Sequence, residues 1–67
     1  MKKVFDIYKH TKGLPSYIDV CLADYEDGFT FKTEKRAQEC CNDMNNQNTN
    51  CNYYYYERTV SDNYICD

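Results

Sequence analysis

The chain is 67 residues and 8.0 kDa, with 42% apolar and 28% charged residues. That range belongs to a globular chain of one small domain, 1–67, and excludes the large cofactor-binding and barrel folds. Eleven acidic against eight basic residues leave a net charge of −3, which argues against a grip on nucleic acid or an anionic membrane by bulk charge.

In chain order, residues 4–10 (Val-Phe-Asp-Ile-Tyr-Lys-His) are rich in β-formers and read as a strand. Asp6 and Lys9 interrupt this run, so it makes no signal-peptide core. No other stretch nears the ~18 apolar residues of a membrane span. A cytoplasmic protein is expected.

Thr11-Lys12-Gly13-Leu14-Pro15 is turn chemistry. Residues 16–25 give the most regular alternation in the chain. Ile18, Val20 and Leu22 fall on one face, and Tyr17, Asp19, Cys21, Ala23 and Tyr25 on the other. A second strand, forming an antiparallel hairpin with the first, is predicted there. Glu26-Asp27-Gly28 reads as a turn, and Phe29 and Phe31 lead into a helix. Thr33 suits its N-cap and Glu34 its first turn.

Ala37, Cys40, Cys41 and Met44 recur at helical spacing as the buried stripe, with Lys35, Arg36, Gln38, Glu39, Asn42 and Asp43 on the wet side. Asn45 and Asn46 are placed to end the helix in the left-handed conformation. After a polar loop, residues 51–60, with consecutive tyrosines at 53–56, read as a third strand with rings on both faces. Tyr64 and Ile65 are expected to dock back from the tail.

This order predicts an α+β domain of ββαβ type: a three-stranded antiparallel sheet of order 2-1-3 with one helix on one face. The expected core holds Phe5, Ile7, Ile18, Val20, Leu22, Phe31, Ala37, Cys40, Cys41, Met44, Val60 and two of the four consecutive tyrosines. Such a core is small, so modest stability or self-association is expected.

Five cysteines (Cys21, Cys40, Cys41, Cys51, Cys66) form an odd set with no C-x-x-C spacing. With no export signal, reduced structural thiols are expected rather than a disulfide frame or zinc site. His10 is the sole histidine, so any Cys–His nucleophilic pair would rest on it. A solvent-facing position at a strand end is the simpler assignment. Asp24, Glu26 and Asp27 lack the spaced oxygen ligands of a calcium loop and read as a solvated acidic turn. There is no phosphate-cradling glycine motif and no G-x-S-x-G elbow. No catalytic residue, metal or cofactor is expected.

The tyrosines stand above this background. A single helix covers one face of a sheet, so the other face would present Tyr8, Tyr17, Asp19, Cys21, Tyr25 and two of the rings at 53–56. Tyrosine combines a large rigid contact area with a polar tip. The candidate partner-binding residues are Tyr8, Tyr17, Asp19, Tyr25, Tyr53 and Tyr55. Such a face can dock on a larger protein, close against a second copy as a homodimer, or sandwich the ring of a nucleotide or other small ligand. Stacking on nucleic acid calls for basic neighbours, whereas Asp6, Asp19, Asp24 and Glu57 surround these rings. The expectation is a non-enzymatic protein-binding module.

Three features together carry a resemblance. They are Tyr-Ile-Asp-Val-Cys-Leu-Ala-Asp at 17–24, the helix opening Thr-Glu-Lys-Arg-Ala at 33–37, and the tyrosine-rich last strand. In size and architecture the chain resembles the small ββαβ accessory proteins of bacteriophages and mobile elements. Phe, Tyr, Asn, Lys, Ile and Asp, whose codons are A/T-rich, fill half of the sequence, which leans the same way. The resemblance implies a small modulator or inhibitor that binds a larger host or defence protein in the host cytoplasm, and it carries no functional residue over.

Overall fold

The computed structural model describes residues 1–26 and 28–64. Its regular elements are β1 (Lys2–Thr11), β2 (Val20–Cys21), β3 (Thr30–Phe31), α1 (Glu34–Gln47) and β4 (Cys51–Val60). The architecture is α+β, one helix packed against an antiparallel sheet, with β1 in its centre. β4 runs antiparallel to β1 over ten pairs, from Lys2 opposite Val60 to Thr11 opposite Cys51. The ladder continues past the strand ends, where Lys12 N–H bonds the Asn50 carbonyl at 3.0 Å. β2 and β3 share the other edge of β1. Tyr8 and Lys9 face Cys21 and Val20, and Phe5 and Asp6 face Phe31 and Thr30. The expected neighbours of the first strand are therefore found, with β3 as an additional short strand.

The predicted strand over 16–25 is not continuous. Ser16–Ile18 and Leu22–Asp24 are single 3-10 turns, and only Val20 and Cys21 between them join the sheet. Pro15 enters the first turn with φ −62°, and the Asp19 amide closes it onto the Ser16 carbonyl at 3.0 Å. The second turn closes when the Tyr25 and Glu26 amides both reach the Leu22 carbonyl. Two steps along β1, from Tyr8 to Asp6, correspond to nine along its partner, from Cys21 to Thr30. β2 and β3 are thus one edge strand interrupted by an excursion.

Thr33 caps α1, accepting from the Arg36 amide at 3.3 Å with its own backbone extended. The helix ends differently from expectation. Asn45 and Asn46 stay helical, and Asn48 terminates the helix in an extended conformation, φ −136°. Among the described residues only Gly13 and Gly28 have positive φ. Asn45 instead turns its amide onto β4. Its Nδ2 donates to the Tyr53 carbonyl at 3.1 Å, and its Oδ1 accepts from the Tyr53 amide at 2.7 Å.

The core under α1 is Phe5, Ile7, Ala37 and Cys41, flanked by the half-buried Leu22, Phe29, Phe31, Cys40, Met44, Tyr53 and Tyr55. The helical stripe therefore faces inward as its spacing predicts. Three assignments change. Ile18 sits in the first 3-10 turn and is exposed rather than buried. Val4, absent from the expected core, is fully buried. Val60 is buried but belongs with Val4 to the opposite face, because strand parity separates both from Phe5 and Ile7.

Candidate functional site

On the face turned away from α1, the even-numbered residues of β1 and β4 lie side by side: Tyr8 opposite Tyr54, Asp6 opposite Tyr56, and Val4 opposite Arg58. Three tyrosines close on one another there. Tyr8 and Tyr54 stack at 5.6 Å between centroids and 13° between planes. Tyr56 stands edge-on to both, at 5.4 Å from Tyr8 and 5.5 Å from Tyr54. Tyr8 and Tyr54 already fill each other's faces, so no slot remains between them for a third ring.

At one end of this cluster Asp19 joins three segments. Tyr54 donates its hydroxyl to Oδ2 at 2.6 Å, and His10 Nδ1 approaches Oδ1 at 2.6 Å. The Tyr54 bond, then His10, holds the Asp19 carboxyl below the usual carboxylate range, with burial opposing. Burial and that same bond push the Tyr54 phenol well above the ordinary tyrosine value. Burial followed by the neighbouring Cys21 raises the Tyr8 phenol. His10 is thus not the solvent-facing strand end expected of it; its side chain is 28% exposed and fixed by a carboxylate.

At the other end Asp6 is 5% exposed. Arg58 meets it side-on, Nε to Oδ2 at 2.7 Å and Nη2 to Oδ1 at 3.3 Å, and Thr30 donates its hydroxyl at 2.7 Å. Tyr64 returns over the Arg58 guanidinium, 5.4 Å from ring centre to Cζ, with its hydroxyl 3.3 Å from Nη2. Tyr64 therefore docks back as expected, while Ile65 lies outside the described residues.

The candidate binding residues separate into three groups. Tyr8 and Asp19 lie on the open face, but both are engaged with neighbours there. Tyr53 and Tyr55 do not lie on that face. Ile7 pairs with Tyr55, so both rings turn toward α1, Tyr55 edge-on to Phe5 at 6.0 Å. Tyr54 and Tyr56 take the places expected of them. Tyr17 and Tyr25 leave the sheet altogether and are 86% and 76% exposed. Leu14 and Ile18 are exposed beside them in sequence, at 49% and 45%. The Asp6–Arg58 and Asp19–Tyr54 pairs were missed by sequence reasoning, because the first depends on the β1–β4 register and the second on that register together with the pairing of β2 on the other edge of β1.

Cys21, Cys40, Cys41 and Cys51 are free thiols, and Cys66 lies outside the described residues. Burial pushes the Cys41 thiol up to about 11 and raises Cys40 less. Of the acidic turn, Asp24 and Glu26 are exposed, and Asp27 lies outside the described residues. Among the described residues no group of three His, Cys, Asp or Glu side chains is placed to hold a metal ion. No helix among them is long and apolar enough to cross a membrane. A groove of about 270 Å³ between Phe31, Lys32, Thr33 and Arg36 flanks the start of α1. Comparison of the chain with protein-family models, with curated proteins and with solved structures finds no match.

Proposed function

We propose that this chain is a non-enzymatic binding module that docks on a larger protein through the segment Leu14–Tyr25 and modulates it. The observation that carries the reading is the exposure of four large apolar or aromatic side chains, Leu14, Tyr17, Ile18 and Tyr25, within twelve residues. Exposed rings and aliphatic groups gathered in one surface segment mark interaction sites, and tyrosines are frequent anchors in them. Asp24 and Glu26 flank Tyr25 and are exposed, which favours a partner with Arg or Lys around an apolar pocket. Asp19 contributes by position alone, since its carboxylate is committed to His10 and Tyr54. The resemblance to small phage accessory proteins favours an inhibitor of a host or defence protein in the host cytoplasm.

The test is capture by wild type, Tyr17→Ala and Tyr25→Ala from a bacterial lysate, followed by titration of the captured partner. Each substitution is expected to weaken that partner's affinity on the order of 30-fold, the equivalent of about 2 kcal/mol. The thermal midpoint should stay where it is, because neither ring packs in the core. Variants that fold and bind as wild type does would place the interaction elsewhere.

A further inference from the structure

A separate surface lies on the outer edge of β4. This strand is ten residues long and, among the described residues, pairs with β1 alone. Two observations fix which backbone groups point outward. Tyr53 gives its N–H and C=O to the Asn45 side chain rather than to β1. Ile7, opposite Tyr55, sends its N–H to the Phe29 carbonyl on the other edge of β1, at 3.0 Å. In an antiparallel ladder these groups alternate in direction along each strand. The even-numbered residues of β4 therefore bond β1, and Tyr53, Tyr55, Glu57 and Thr59 turn theirs outward. Tyr53 is capped by Asn45. The stretch beyond it, exposed from Tyr56 to Thr59, is a regular edge onto which another strand can add.

We propose that this edge pairs with the same edge of a second copy, antiparallel, about a two-fold axis at Tyr56. Any axis centred on a residue matches outward groups with outward groups; one at Tyr55 sets Glu57 against Tyr53, whose groups Asn45 holds, and one at Arg58 opposes two guanidinium groups. An axis at Glu57 sets that carboxylate directly against its own mate, a like-charge pair that disfavours the register. An axis at Tyr56 opposes no like charges. It sets Tyr55 of each copy against Glu57 of the other, forming four main-chain hydrogen bonds. It also brings the two Tyr56 rings, each 62% exposed in the single chain, side by side on the open face, and places Arg58 of each copy opposite Tyr54 of the other. Thr59 then meets Tyr53, whose groups Asn45 already holds, so the ladder ends there. Assembly stops at two, because the remaining edge of each copy is the interrupted β2–β3 edge.

Sedimentation and amide hydrogen exchange between about 10 µM and about 1 mM, the range suited to a weak contact, test this pairing. A dimer is expected to appear as concentration rises, with protection growing at the Tyr55 and Glu57 amides and not at Tyr53 or Thr59. Glu57→Pro removes one outward N–H and no bond to β1, so it should fold and stay monomeric. Tyr56→Lys places two ammonium groups together at the axis and should raise the dissociation constant roughly fivefold or more. Glu57→Gln should leave it unchanged. A monomer at the highest concentration, a dimer that survives both Glu57→Pro and Tyr56→Lys, or tighter pairing in Glu57→Gln would overturn the proposal.

Discussion

The two edges of β1 are finished in opposite ways. Along one, β4 makes an unbroken ladder of ten pairs. Along the other, β2 and β3 contribute two residues each, with an excursion of 3-10 and irregular backbone between them. The continuous edge supplies structure: it carries Tyr53 and Tyr55 into the core and holds the Asp6–Arg58 and Asp19–Tyr54 pairs. The segment leading into the interrupted edge leaves Leu14, Tyr17 and Ile18 in solvent, and the excursion within it leaves Tyr25 there too. The long ladder, packed under α1, carries the core, and the interrupted side leaves these large side chains in solvent.

The largest effect that separates the two regions is an aliphatic truncation. Ile7→Ala removes a fully buried side chain beneath α1 and should cost about 3 kcal/mol by urea unfolding. Ile18→Ala should change stability within about 0.5 kcal/mol. Equal costs would mean that the interrupted edge is as structural as the ladder.

Next is Arg58→Ala, which leaves the buried Asp6 carboxylate with Thr30 as its remaining described side-chain partner. A loss of about 1–3 kcal/mol is expected. Lys3→Ala, which breaks an exposed 3.5 Å bridge to Glu57, should cost no more than about 0.5 kcal/mol. On the helix that covers the ladder, Cys41→Ser should cost about 1–2 kcal/mol and Cys40→Ser less, since only Cys41 is fully enclosed. Cys41, with its thiol pushed up to about 11, should also be slow to react with a thiol reagent at neutral pH.

The smallest effect is a pH dependence that follows the Asp19–Tyr54 contact. Asp19 is held low, so its contribution is present above the ordinary aspartate value, ~3.9, and is lost as pH falls through the folded value. Tyr54 is held high, so its contribution is full below the ordinary tyrosine value, ~10, and is lost as pH rises through the folded value. Tyr54→Phe should flatten both arms of a plot of thermal midpoint against pH. An unchanged acid arm would mean that His10 alone holds Asp19.

What the sequence makes legible follows the same division. Strand β4 and helix α1 are long and strongly patterned, and Thr33 and the Ala37–Met44 stripe could be placed from local chemistry alone. Residues 16–25 alternate as a strand does, yet Pro15 starts a 3-10 turn and the Asp19 carboxylate is drawn to His10 and Tyr54. Those partners lie 9 and 35 positions away, so no local rule reveals them. Cys21 still pairs with Tyr8, which keeps the two on one face as the alternation predicts. Which tyrosines face inward was undecidable from four identical neighbours, and Val60, buried on the far face, points to the wrong pair if taken as a guide to the helix side. Only the pairing of Ile7 with Tyr55 decides it.

The ladder from Lys2 to Thr11 also has a history in time. The strand that pairs with every other strand is made first, and the partner of Lys2 is Val60. At ordinary synthesis rates roughly 3–12 s separate those two residues. Through that interval Val4, Phe5 and Ile7 have no β4 to pair with, and the helix, whose backbone hydrogen bonds are local, is synthesised before the sheet it covers is complete. Closing a loop of nearly the whole chain is the late and slow event in assembly. A nascent β1 is therefore the segment most in need of shelter while the rest of the chain is being made.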